Sequence, residues 1–176
     1  MVKKVLLGLV VVLVIFLGYV STREGKFHYE RSAVINAPAE KIFPFISNFK
    51  FGTQWNPYDQ KDPNMKRSFT GNDGEVGSVM NFDGNAESGS GKLEIVSLTP
   101  NSEAQIKLTM TKPIFAENMI IYTLKPEGEG TRFTWAMQGD GGFMGKLMNV
   151  FIDCEKMMTS EFEKGFTNLK AVIENK

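Results

Sequence analysis

GFMGKLMNVFIDCEKMMTSEFEKGFTNLKAVIEN, residues 142–175, is the stretch whose reading decides the fold. Phe143, Leu147, Val150, Phe151, Cys154, Met158, Phe162, Phe166, Leu169 and Ile173 recur at spacings of three and four, with Lys146, Asp153, Lys156, Glu163, Lys164 and Lys170 mostly between them. That is the period of an α-helix with one apolar face. The run starts after Gly139, Gly141 and Gly142, and roughly 30 continuous residues would reach about 45 Å at about 1.5 Å each. So long a stripe needs a broad apolar surface to cover it. The expectation is a sheet wrapped around one long helix, with a hollow between them.

Upstream, the chain reads as that sheet. Phe27 to Ile35 (FHYERSAVI) alternates as a strand does. Asn36-Ala37-Pro38 stops it and opens a helix through Ser47, with Ile42, Phe43, Phe45 and Ile46 on one face. Pro44 inside that run predicts a kink or two short helices. Phe49 to Asp62 (FKFGTQWNPYDQKD) reads as a short helix or loop on the sheet's rim. Six further strands follow, near 67–70, 77–83, 92–98, 104–111, 117–124 and 131–138, separated by Gly-, Pro- and Asn-rich turns. The connections are short, so neighbours pair antiparallel in a meander. The fold class is therefore α+β: seven antiparallel strands, two short helices after the first strand, and a long C-terminal helix.

Ahead of this lies Val5 to Val20 (VLLGLVVVLVIFLGYV), apolar without interruption behind Lys3 and Lys4. Its span as a helix, about 24 Å, falls short of a hydrocarbon core of about 30 Å, so Val2, the lysines and Tyr19 must make up the rest. The reading is an uncleaved N-terminal transmembrane anchor, residues 1–25 with its linker, followed by a ligand-binding domain over 26–176. A cut after Thr22 is the alternative. A basic start before a first apolar segment stays cytoplasmic, which places the domain on the outer, periplasmic or extracellular, side. Twenty basic and twenty acidic residues cancel, which excludes a nucleic-acid partner of the basic-patch kind. The one cysteine, Cys154, forms no internal disulfide and reads as a small apolar residue on the helix stripe.

The segments YERSAVINAPAEKIFPFISNF (29–49), WNPY (55–58), GSVMNFDGN (77–85), GSGKLEIVSLTPN (89–101), GTRFTWAMQGD (130–140) and FEKGFTNLKAVIE (162–174) resemble the helix-grip fold of the START-like, or SRPBCC, superfamily. That superfamily includes the birch-pollen-allergen fold and the polyketide cyclase/dehydrase-type proteins. The resemblance covers about Phe27 to Glu174. It implies a deep cavity between sheet and helix for an apolar ligand, and membrane-anchored members. Fold alone does not assign a function.

The residues point to a cavity independently. Met80 with Phe82, Ile106 with Leu108 and Met110, Met119 with Ile121, and Phe133 with Trp135 and Met137 each share a strand face. Phe143, Leu147, Phe151, Met158 and Phe162 face them from the helix, and flexible thioethers suit a wall that repacks around differing ligands. Glu117 shares alternation with Met119, which would put it at the cavity mouth. Trp55 and Tyr58 are read as a lid whose indole N–H or hydroxyl orients a ligand's polar end. The candidate ligand-binding residues are thus Trp55, Tyr58, Met80, Phe82, Met110, Glu117, Met119, Trp135, Met137, Phe151 and Met158. No catalytic set, metal site or cofactor motif is read: His28 stands alone on the first strand, and Gly84, Gly89 and Gly91 lack the lysine and helix of a phosphate loop. Two functions follow. One is a membrane-tethered protein holding a lipid-like or polycyclic apolar molecule; the alternative is a cyclase or dehydratase acting on such a molecule through a carboxylate whose pKa burial has raised.

Overall fold

Strand pairing, more than the helices, sets the architecture seen in the computed structural model, which describes residues 2–174. An apolar helix, α1 (Val2–Ser21), leads into β1 (Lys26–Ile35). Three helices follow: α2 (Ala39–Ser47) and, after a 3-10 turn at Phe49–Phe51, the short α3 (Gly52–Trp55) and α4 (Pro57–Lys61). Then come β2 (Lys66–Thr70), β3 (Val79–Asp83), β4 (Ser90–Thr99), β5 (Glu103–Lys112), β6 (Ala116–Glu127) and β7 (Gly130–Asp140), and finally α5 (Gly142–Phe151) and α6 (Cys154–Glu174). Asn175, residue 176 and Met1, the ends of the expected helix, domain and anchor, lie outside the described residues.

The seven strands form one antiparallel sheet in the order β1-β7-β6-β5-β4-β3-β2. This is the expected meander, closed by β1 alongside β7 over the register Lys26↔Asp140 to Ile35↔Thr131. The inner face carries Ile35, Met80, Ile95, Ala104, Ile106, Ile120, Tyr122, Leu124, Phe133, Trp135 and Met137, packed against Phe162, Phe166 and Leu169 of α6 and Ile42 and Ile46 of α2. Close approach of α6 depends on Gly165: a Cβ there would lie 2.7 Å from Trp135 Cζ3. With no side chain in the way, Phe162 stacks on Trp135 at a centroid distance of 4.5 Å.

Two expectations about helices are corrected. The terminal helix is not continuous: Ile152 is extended (φ −129°, ψ 133°), and the Asp153 carboxylate accepts the Lys156 N–H at 2.9 Å. Asp153 thus caps a new helix, satisfying a donor that the first turn leaves free. Pro44 does not break α2, which runs through it to Ser47 with Pro38 at the N-cap. A proline inside the helix removes one intrahelical bond, and burial of Ile42 and Ile46 holds the segment helical against that loss.

Candidate functional site

The inner face of the sheet does not meet α6 everywhere. Between them lies a partly enclosed cavity of about 280 Å³, bordered by β3 to β7, α4 and the first turns of α6. Tyr58, Met80, Phe82, Met110, Trp135, Met137 and Met158 line it. Leu93, Leu108, Ile120 and Phe162 complete its apolar wall, and Met65, from the loop between α4 and β2, adds a fifth methionine. Met65 lies in no periodic segment, so spacing does not reveal it.

Tyr58 is placed by α6. The Asn168 amide donates to Trp55 O at 3.0 Å and to Gln60 Oε1 at 2.8 Å, clasping the chain on both sides of it. Asn56 accepts the Tyr58 N–H at 3.0 Å, a cap that starts α4 with Pro57 in its first turn. The Tyr58 hydroxyl reaches Met158 Sδ at 3.5 Å. Burial, and secondarily the charge of Glu161, pushes its pKa above the ordinary tyrosine range, so it stays a neutral donor.

Four of the site residues expected from the sequence lie elsewhere, and each has a physical reason. Phe151 is 72% exposed, on the far side of the break at Ile152, and meets Phe16 of α1 at 5.9 Å between ring centroids. Glu117 and Met119 are on the outer face of β6, where Glu117 binds Lys107 at 2.7 Å. The inner face there is Asn118, Ile120, Tyr122 and Leu124, because Ile120 and Tyr122 pair directly with inward-facing Met137 and Trp135. Trp55 is no lid: it is buried, its indole N–H donates to Phe45 O at 2.9 Å, and its ring meets Tyr122, Phe133 and Trp135 edge-on.

The polar members of the wall are not legible from the sequence as a set. Asp59 lies on α4 against β2, with Arg67 Nη2 2.7 Å and Nε 2.8 Å from its Oδ1. Burial raises its pKa, and the hydrogen bond and charge of Arg67 oppose that rise. Glu87 and Ser88, in the β3–β4 loop, and Asn118 also border the space. Among the described residues the Trp135 indole N–H and the Ser88 hydroxyl, both buried, find no hydrogen-bond partner. His28 is on the surface, 3.4 Å from Glu30, as its sequence position implies.

An antiparallel sheet packed against a terminal helix over an apolar, methionine-rich cavity defines a helix-grip protein of the kind that binds hydrophobic ligands. The chain belongs to the family described as polyketide cyclase/dehydrase and lipid transport, whose model matches residues 26–174. Solved structures agree at the level of fold. Protein MLL2253 from Mesorhizobium loti superposes with a TM-score of 0.63 at 15% identity, over 85% of this chain and 98% of that one. The major latex-like protein 151 of Panax ginseng gives 0.61 at 13%, over 85% and 98%, and Aha1 from Colwellia psychrerythraea 0.59 at 16%, over 84% and 96%. No curated protein matches the chain.

Proposed function

We propose that the protein holds a small apolar, lipid-like or polycyclic molecule in the cavity between sheet and α6, while α1 tethers it to a membrane. The observation that carries this is the cavity wall: aliphatic, aromatic and thioether side chains with a few polar groups at the α4 and β3–β4 side, the make-up of a small-molecule site. Its volume of about 280 Å³ lies just under the usual range of roughly 300–1,000 Å³, which favours a compact ligand. The tether rests on α1, with a mean hydropathy of 2.5 over its most apolar window and 6% of that window buried. A signal sequence has the same make-up, and recovery of the intact N-terminus from membranes separates the two.

Residues 25–176, purified from cells and sprayed under native conditions, are expected to carry a copurified apolar molecule. Met110→Trp, which fills the space, is expected to release it. Protein that is empty before and after the substitution would end this reading.

A cyclase or dehydratase reading draws on Asp59, an acid at the cavity wall whose pKa burial raises. It requires the recovered molecule to be converted during incubation, with loss of one water for a dehydration or a new ring at unchanged mass for a simple cyclisation, and Asp59→Asn to stop that conversion.

A further inference from the structure

Outside α1, most of the exposed large apolar side chains gather at one end of the sheet, Phe69 and Val76 being the exceptions. By register, the start of β1, the end of β7 and the start of β6 lie side by side, with Phe27 paired to Gly139 and Gly139 to Asn118. The β5–β6 turn is at that same end and carries Ile114 and Phe115, the latter 68% exposed. So is α5, in which no residue is buried although Phe143, Met144, Met148 and Phe151 are all large and apolar. An apolar helix this exposed costs solubility unless something covers it.

The geometry points to the covering surface. α5 packs along α1 through Phe151 and Phe16. Its root is tied down where the Lys146 ammonium donates to the Ser21 carbonyl at 3.1 Å and the Gly141 N–H to Gly25 O at 3.0 Å. A cation on the last carbonyls of α1 also complements that helix end. Phe16 lies five residues before the end of α1 at Ser21, roughly 7 Å down the axis at about 1.5 Å per residue. A helix resting in a bilayer interface sinks its apolar side by roughly 5–10 Å, so Phe151 is at the matching depth. The β5–β6 turn joins strands two and three places from β1 in the sheet order, about 10–14 Å to the side at about 4.8 Å per strand.

We infer that α5 and the β5–β6 turn seat this end of the domain in the lipid bilayer beside α1, so that the cavity faces lipid. The inference rests on the reading of α1 as a membrane helix and goes beyond it: a bare tether would leave the domain free to tumble. Met110, Asn118 and Met137 of the cavity wall lie within a few residues of the seated end, so ligand enters and leaves against the membrane.

Full-length protein in phosphatidylcholine bilayers brominated along the acyl chain tests this. Single reporters are introduced by Phe151→Trp, Phe115→Trp and, at the opposite end, Val76→Trp; Leu9→Trp reports on α1 itself. All four positions are exposed, and the wild-type protein, carrying Trp55 and Trp135 alone, is measured in the same bilayers to give the background that is subtracted. Most of the added emission at positions 151, 115 and 9 is expected to be quenched, and that at 76 preserved. Quenching at 9 with positions 151 and 115 as bright as 76 overturns this inference and leaves the tether. A bright reporter at 9 overturns both.

Discussion

At the scale of single residues, Trp135 lines the cavity as alternation implies, while Trp55 does not take the lid position that its loop suggests. Trp55 is legible as an aromatic next to a proline in a loop, which reads as a lid, and nothing local reveals that its N–H is claimed by Phe45 O. Trp135 is legible as inward-facing from simple alternation, and its N–H is the one left unpaired. A net hydrogen bond stabilises by about 1 kcal/mol, whereas a buried unpaired donor only costs. Trp55→Phe is therefore expected to lose about 1 kcal/mol more than Trp135→Phe for a similar loss of volume, read from urea midpoints; equal losses would contradict the bonding described. Asp59 makes a second case. Its folded-state pKa is raised, chiefly by burial with Arg67 opposing, so between its unfolded and folded values the native state binds more protons. Its contribution to stability therefore falls as pH rises upward from the ordinary carboxylate range. Asp59→Asn should remove that slope, and should also lower stability near neutral pH by about 3 kcal/mol, because Arg67 loses its buried partner. A variant that keeps the wild-type slope would show that Asp59 is not its source.

Elements are legible where one period dominates and fail where two readings share a pattern. The seven strands and the β2-to-β7 meander follow from alternation and turn residues, whereas the place of β1 beside β7 does not, because no short turn joins the two. β6 does not yield its inner face, because Met119 and Ile121 on one side are as apolar as Ile120, Tyr122 and Leu124 on the other; only pairing with β7 decides. The terminal helix fails for a related reason. Its apolar spacing runs through Ile152, and Asp153 reads as a polar-face residue although it is the cap that restarts the helix. Asp153→Ala should cost about 1 kcal/mol and loosen amide exchange in the first turn of α6 while leaving the strands protected; unchanged exchange there would deny it the capping role. Gly165 tests the grip itself. Alanine gains about 1 kcal/mol over glycine within a helix, but its Cβ would stand 2.7 Å from the Trp135 ring, and overpacking costs about 1–3 kcal/mol. Gly165→Ala is thus expected to lower the melting temperature, and a rise would mean that α6 has room to withdraw.

For the whole molecule, the cavity sets a limit that no single strand predicts, since its wall is assembled from β3 to β7, α4 and α6 together. About 280 Å³ equals the share of roughly nine water molecules at about 30 Å³ each, so the space admits a medium acyl chain and is too small for a large one without movement of the wall. Each methylene buried stabilises binding by about 0.8 kcal/mol, about fourfold in affinity. Titrating a homologous series of alkyl ligands should therefore give affinities that climb by about that factor per carbon and then level off abruptly once the space is full. Met110→Trp should move the break to shorter chains, and Met137→Ala to longer ones, since each alters volume at the wall without touching the α3–α4 clasp. Because thioethers repack easily, the break should be blunter than in a wall of leucines. An affinity that ignores chain length would place binding on the surface instead, and one that climbs without a break would mean that the sheet and α6 part to admit the ligand.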